Sequence, residues 1–272
     1  MTFPDFYTEK EQRLLSIIDG LCRNNTILAF SGGVDSALLL LLMKEASDKY
    51  GTKVLPVTFR TFLHPAADMA AAERICRELD TSHRVIAVDE MDNPAIAENP
   101  KNRCYLCKKM LFQKLLDLAE ELGIPSAADG TNADDLRVFR PGLKALAELG
   151  IQSPLARAGF TKEEVRALAK KRGLSVSGRP STPCLATRFP YDTHLTRESL
   201  KTVEQGEALL GQYISGNIRL RVHNTMARIE ADPDQFPKLI KHHDEITGEL
   251  KKLGFRYVTL DLSGFRSGSY DT

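Results

Sequence analysis

The chain has 272 residues, with 42% hydrophobic and 27% charged side chains and a formal net charge of +1. That balance is globular and argues against disorder, and the near-zero charge gives no overall field to draw nucleic acid or an anionic membrane. Five cysteines, no apolar leader in MTFPDFYTEKEQR and no apolar run long enough to span a bilayer predict a cytoplasmic chain without a disulfide framework, in which clustered cysteines read as metal, redox or catalytic.

In chain order, residues 6–22 carry Leu14, Leu15, Ile18 and Leu21 at helical spacing. Residues 26–30 read as a short buried strand, followed by a glycine-rich loop and a helix from about Asp35. Strands at 53–59 and 84–88 flank an Ala-rich helix at 64–79. A long helix at 104–122, closed by Gly123 and Pro125, precedes a fourth strand at 126–129. Strand and helix alternating at these lengths predict an α/β fold whose parallel, doubly wound sheet is buried on both faces. The stretch SVSGRPSTPCLATRFPYDTHLT then reads as linker or active-site loop. After it come a helix at 196–210, strands at 218–223 and 227–231, a helix at 236–253 and a strand at 257–262. IRLRVH and YVTLDL both alternate, as strands with one wet face do. The expected division is therefore 1–175 for the α/β domain, 176–195 for the loop or linker, and 196–272 for a smaller C-terminal α+β domain.

The loop in AFSGGVDSALLLL joins a strand to a helix start, where unpaired N–H groups and the helix dipole make an anion site. It lacks both the G-x-x-x-x-G-K-[ST] and the G-x-G-x-x-G pattern. What stands there, Ser-Gly-Gly-Val-Asp-Ser, is similar to the PP-loop of N-type ATP pyrophosphatases, which adenylylate an oxygen of their substrate and release pyrophosphate. That resemblance implies ATP bound along Ala29, Phe30, Ser31, Gly32, Gly33, Asp35 and Ser36, in an adenine nucleotide alpha hydrolase-like sheet. The Gly32 and Gly33 N–H groups and the Ser31 and Ser36 hydroxyls would hold pyrophosphate, and Asp35 would hold Mg²⁺. The plain alternative is a capped helix after a tight turn, with Ser31 or Asp35 as cap. DGTNADD (residues 129–135), with Gly130, follows the fourth strand at the sheet edge expected to face a nucleotide; it also reads as a simple turn.

Four further segments, RPGLKAL, PCLATRFPYDTHLT, IRLRVHNTMARIE and YVTLDLSGFRSG, resemble the LarE family of ATP-dependent sulfurtransferases, over nearly the whole chain. The resemblance implies a small nucleotide substrate, pyridinium-3,5-biscarboxylic acid mononucleotide, whose carboxylates are adenylylated and converted to thiocarboxylates for the nickel-pincer nucleotide of lactate racemase. It also implies a homo-oligomer, trimer or hexamer. The residues themselves agree with an anionic ligand. Arg219 and Arg221 lie two apart on a strand and so share a face, which suits a phosphate monoester. Arg188 offers a third donor. The alternative is an ordinary solvated face with Glu207 or Glu230 as partners, and Arg266 is either a ligand contact or a cap.

Cys22 and Cys76 sit among Leu and Ile and read as small core residues. Cys104 and Cys107, three apart at a helix start, share a face, with Lys108 and Lys109 beside them to favour thiolates. Cys184 lies in the Pro-rich loop, which reads as free to swing. In the best-known LarE branch the cysteine matching Cys184 gives up its own sulfur. A three-cysteine branch is known to hold a 4Fe–4S cluster that binds an extra sulfide, which implies Cys104, Cys107 and Cys184 as ligands and an external sulfide donor. A Zn²⁺ site completed by histidine and a redox C-x-x-C remain as other readings. Three other functions compete: tRNA thiolation, amide formation by a PP-loop ligase, and nucleotide sensing without catalysis.

Overall fold

The structure is a computed structural model that describes residues 8–138, 140–178 and 183–266. In chain order its elements begin with α1 (Glu9–Cys22), β1 (Thr26–Ala29), α2 (Val34–Tyr50), β2 (Val54–Arg60), α3 (Ala66–Glu78) and β3 (Arg84–Ala87). They continue with α4 (Pro94–Ala97), α5 (Arg103–Glu121), β4 (Ser126–Ala128), α6 (Gly142–Glu148), α7 (Pro154–Ala158) and α8 (Lys162–Lys171). The last are α9 (Arg197–Leu210), β5 (Ile218–His223), β6 (Met226–Ala231), α10 (Phe236–Lys241), α11 (His243–Lys252) and β7 (Tyr257–Leu260). No helix among the described residues is long and apolar enough to cross a membrane.

The chain divides into two compact units. The first comprises Met1–Thr61, Ala66–Val88 and Asn102–Arg179; the second comprises Phe62–Pro65, Asp89–Lys101 and Pro180–Thr272. The first holds a four-stranded sheet in the order β3-β2-β1-β4, all parallel. Strand order reverses at β1, so the crevice between the carboxyl ends of β1 and β4 is the place where such sheets take ligands. Helices pack the sheet: α2 is apolar nearly all round, with Leu38, Leu39 and Leu40 fully buried, as befits a helix inside a core. A capping box of Thr8 and Glu11 starts α1, which buries Leu14, Ile18 and Cys22 one turn apart.

The second unit holds a sheet in the order β5-β6-β7, with β5 and β6 antiparallel and β6 and β7 parallel. Its core gathers Leu210, Leu220, Ile229, Ile246 and Leu250. Gly206 brings α9 against β5, because a Cβ there would stand 2.3 Å from Leu220 Cδ2. The expected single helix over 236–253 is two, broken at His242.

Two departures from the sequence reading matter for function. Residues 62–65 and 89–101 leave the first unit and join the second. They tie down the segment after Cys184: Leu185 N donates to Leu63 O at 2.7 Å, Asp192 N to Asn99 O at 3.0 Å, and Leu195 N to Ala97 O at 2.7 Å. What composition marks as a linker is, from residue 183 onward, hydrogen-bonded structure. The second departure is β5. Arg219 and Arg221 are 7% and 4% exposed, so the face they share is buried, not wet.

Candidate functional site

In the first unit, the chain leaves β1 at Ala29 and Phe30 N still donates to Val57 O, so the turn begins at Ser31. Gly32 takes φ +69° with its α-carbon pressed on α3; a Cβ there would lie 2.5 Å from Ala72 N. Only glycine meets both conditions. Gly33 caps α2 with extended backbone and no side-chain cap bond, so the structure does not use Ser31 or Asp35 as the helix cap. The two serines instead brace the turn. Ser31 Oγ and Ser36 Oγ are 3.1 Å apart, Gly33 N donates to Ser31 Oγ, and Ser36 Oγ donates to Gly33 O. Gly130, at the end of β4, lies against the first turn of α2, with its Cβ direction 3.0 Å from Ser36 N.

Asp35 stands in that first turn. Asn132 Nδ2 donates to its Oδ1 at 3.1 Å, and Lys162 Nζ pairs with its Oδ2. The Asn132 amide has no choice of orientation, since its Oδ1 accepts from the backbone N–H of Asp134 and Asp135. Asp129, 5% exposed, accepts from Thr131 at 2.5 Å and Ser153 at 2.6 Å. DGTNADD is therefore a braced loop that aims an amide at Asp35. Lys162 escaped the sequence reading. The signal was present in Thr161-x-x-Glu164, a capping box that marks a helix start and puts Lys162 in its first turn.

In the second unit, Arg188 is fully buried. Its Nε and Nη2 donate to the two oxygens of Glu207 at 2.8 Å each. Its Nη1 donates to Pro183 O, Cys184 O and Thr187 Oγ1. The sequence reading gives this guanidinium to the substrate phosphate; here its fork is taken up by the protein. Arg221 Nε donates to Glu230 Oε2 at 3.0 Å, and Arg228 Nη2 to Glu230 Oε1 at 2.9 Å. Arg221 Nη1 also donates to Thr187 O. Glu207 and Glu230 are thus partners of buried arginines. Arg219 lies 5.0 Å from the Phe265 ring centre and donates to Ile218 O. Burial, and then the like charges of Arg188 and Arg221, bring its pKa down to about 10 against the opposing pull of Glu207 and Glu230. Arg266 is exposed.

All five cysteines are free thiols, with Cys22 and Cys76 in the core as expected; burial raises both, Cys76 to about 11. Cys104 falls in the first turn of α5 and Cys107 at the start of the second, Cys104 exposed and Cys107 buried. The lysines expected to favour their thiolates are engaged elsewhere. Lys109 pairs with Glu148 at 2.9 Å, and Lys108 stands 4.0 Å from Asp129. The cation at Cys104 is Arg103, whose Nη2 is 3.6 Å from the sulfur. Cys104 and Cys107 belong to the first unit and Cys184 to the second. The Cys184 carbonyl accepts from Thr187 N, Thr187 Oγ1 and Arg188 Nη1. Among the described residues, no three His, Cys, Asp or Glu side chains gather into a metal-holding group.

Comparison with known proteins adds to this geometry. A PP-loop domain family matches residues 6–105. The chain is 35% identical over 260 residues to the pyridinium-3,5-bisthiocarboxylic acid mononucleotide synthase of Lactiplantibacillus plantarum, covering 95% of this chain and 92% of that one. It is 37% identical over 249 residues to an uncharacterised protein of Synechocystis sp., covering 90% and 91%. A tRNA-specific 2-thiouridylase MnmA of Caldanaerobacter subterraneus is 26% identical over 284 residues, covering 83% and 77%.

Proposed function

The chain belongs to the LarE family of PP-loop enzymes, and from that premise we propose that it converts the carboxylates of pyridinium-3,5-biscarboxylic acid mononucleotide to thiocarboxylates. It is an ATP-dependent, adenylating sulfurtransferase of the nickel-pincer cofactor pathway. The observation that carries the reading is the braced turn at residues 31–36, set at the switch point of a parallel sheet, in a chain that matches a synthase of this substrate along nearly its whole length.

A substrate carboxylate oxygen attacks the α-phosphorus of ATP, and pyrophosphate leaves. The turn at Gly32 and Gly33 and the uncapped start of α2 receive the charge that accumulates on the leaving group. Asp35 is a hard oxygen donor held in one orientation by Asn132 and Lys162, and it would hold Mg²⁺. That ion would supply charge neutralisation at the triphosphate. Arg219 holds the substrate phosphate. A sulfur nucleophile then attacks the acyl-adenylate carbon, and AMP leaves.

The donor chemistry of Cys104, Cys107 and Cys184, three soft thiols, suits a 4Fe–4S cluster better than a hard cation. When bound, the cluster would supply an open iron position for exogenous sulfide. The competing source is the Cys184 sulfur itself.

The test incubates the chain with ATP, Mg²⁺ and the biscarboxylate substrate. AMP and pyrophosphate are expected; ADP and phosphate overturn the adenylylating mechanism. Intact-protein mass spectrometry after turnover with sulfide then reads the sulfur source. An unchanged mass supports the cluster, and a loss of about 34 Da, hydrogen sulfide leaving Cys184 as dehydroalanine, overturns it.

A further inference from the structure

We propose that Arg188 is a positioning residue for sulfur transfer: locked by Glu207, it fixes the Cys184 backbone to the β5 strand that carries Arg219. This rests on the sulfurtransferase reading above and assigns Arg188 a task within it.

The observations form one closed network inside the second unit. Arg188 is the largest fully buried side chain of the described residues. A guanidinium without solvent must place its donors on protein acceptors. Two donors go to Glu207 in the planar two-oxygen geometry that only arginine matches. The others reach the carbonyls of Pro183 and Cys184 at 2.9 and 3.1 Å. Glu207 in turn accepts from Leu220 N at 2.9 Å, a bond on the outer side of edge strand β5, reached because Gly206 lets α9 sit so close. Thr187 closes the circuit. Its hydroxyl donates to Cys184 O at 2.9 Å, and its own carbonyl accepts from Arg221.

Cys184 is thus held through its main chain, while its side chain is half-buried. A fold that needed only a stable turn here would not require a buried charge pair, which costs desolvation that apolar packing avoids. What the pair supplies is a fixed spacing between the Cys184 α-carbon and the strand bearing Arg219. Acyl adenylates hydrolyse when no nucleophile is in place, so loss of that spacing lets AMP form without product. A nucleophile displaced by about 1 Å loses on the order of a hundredfold in rate.

The experiment measures thiocarboxylate formed per AMP released, in wild type and in Arg188→Lys. The ammonium keeps the charge against Glu207 but cannot also span the Pro183 and Cys184 carbonyls. The ratio is expected to fall about tenfold or more. Thr187→Val, which deletes the hydroxyl between Arg188 and Cys184 O while keeping its shape, is expected to lower the ratio in the same direction, and it carries the test if Arg188→Lys does not fold. A purely structural role lowers both products together; an unchanged ratio in the folded variants overturns the proposal, whatever happens to the rate. A wild-type chain that forms AMP but no thiocarboxylate from the biscarboxylate overturns the sulfurtransferase reading instead, and the positioning role with it.

Discussion

The turn at residues 31–36 and the arginine face of β5, the two places where we propose that phosphate binds, are built from opposite materials. The turn uses glycine backbone, two serine hydroxyls and a helix start, and its one charged member, Asp35, is partly exposed beside Lys162. The β5 face uses buried guanidiniums: Arg221 is paired with Glu230, itself at 1% exposure, and Arg219 lies against the Phe265 ring. Backbone donors at a helix start arrive with the secondary structure and need no counter-charge. Buried arginines exist only as part of a network. It follows that single substitutions in the turn should harm chemistry more than folding, and those on β5 should divide between the two.

The largest effect is expected at Asp35. Asp35→Asn removes the carboxylate but keeps the volume and the Asn132 contact, and AMP formation should fall about a thousandfold or more. Its pair with Lys162 is about one-third exposed on the lysine side, so thermal stability should change by only about 0–1 kcal/mol. Loss of folding in this variant would erase the contrast with β5.

On β5 the two arginines should separate. Arg221→Ala leaves Glu230 buried with Arg228 as its remaining ion-pair partner and removes the tie to Thr187, so a stability loss of about 3–5 kcal/mol is expected in urea unfolding. Arg219→Ala should cost less stability than Arg221→Ala. It should weaken substrate binding by about 1.5–3 kcal/mol, the range for a charge-assisted hydrogen bond, with ATP binding unaltered in calorimetry. Equal stability losses in the two variants would mean that Arg219 is one more structural arginine.

The same contrast decides what could be read in advance. Residues 31–36 act through local conformation, and local conformation is written in adjacent residues: two glycines and an aspartate before an apolar helix. The parallel pairing follows from strands alternating with helices, whereas the order that sets β4 beside β1 does not follow from that alternation. The β5 network was only half legible. Two arginines on one face can be seen in IRLRVH, but Arg221's partners Glu230 and Thr187 lie 9 and 34 residues away, and an alternating pattern predicts a wet face when charge is on it. The anchoring of Cys184 was hidden for the same reason. The segment has the composition of a loop, and beside the local bonds of Thr187 and Arg188 to Cys184 O its restraints come from residues 63, 97 and 99 and, through Arg188, from Glu207. Lys162 was hidden by distance as well, 127 positions from Asp35.

The smallest expected effect concerns the floor of the turn. His83 Nε2 lies 2.8 Å from Thr58 Oγ1, and the Thr58 hydroxyl donates to Phe30 O at 2.7 Å, directly before Ser31. A hydroxyl has one hydrogen, so the histidine must be the donor, which fixes Nε2 as protonated in the neutral ring. Burial lowers the His83 pKa below 6.5, against a weaker opposing pull from Glu73. The unfolded chain therefore binds more protons than the folded one as pH drops through 6.5. His83 contributes stability that is present above that pH and lost below it, until the folded form also protonates. Urea midpoints measured from pH 7.5 to 5.5 should fall less steeply in His83→Gln, whose amide can still donate to Thr58, than in wild type. Parallel curves would show that His83 titrates as it does in the unfolded chain, and would remove it as a pH-dependent brace beneath the turn.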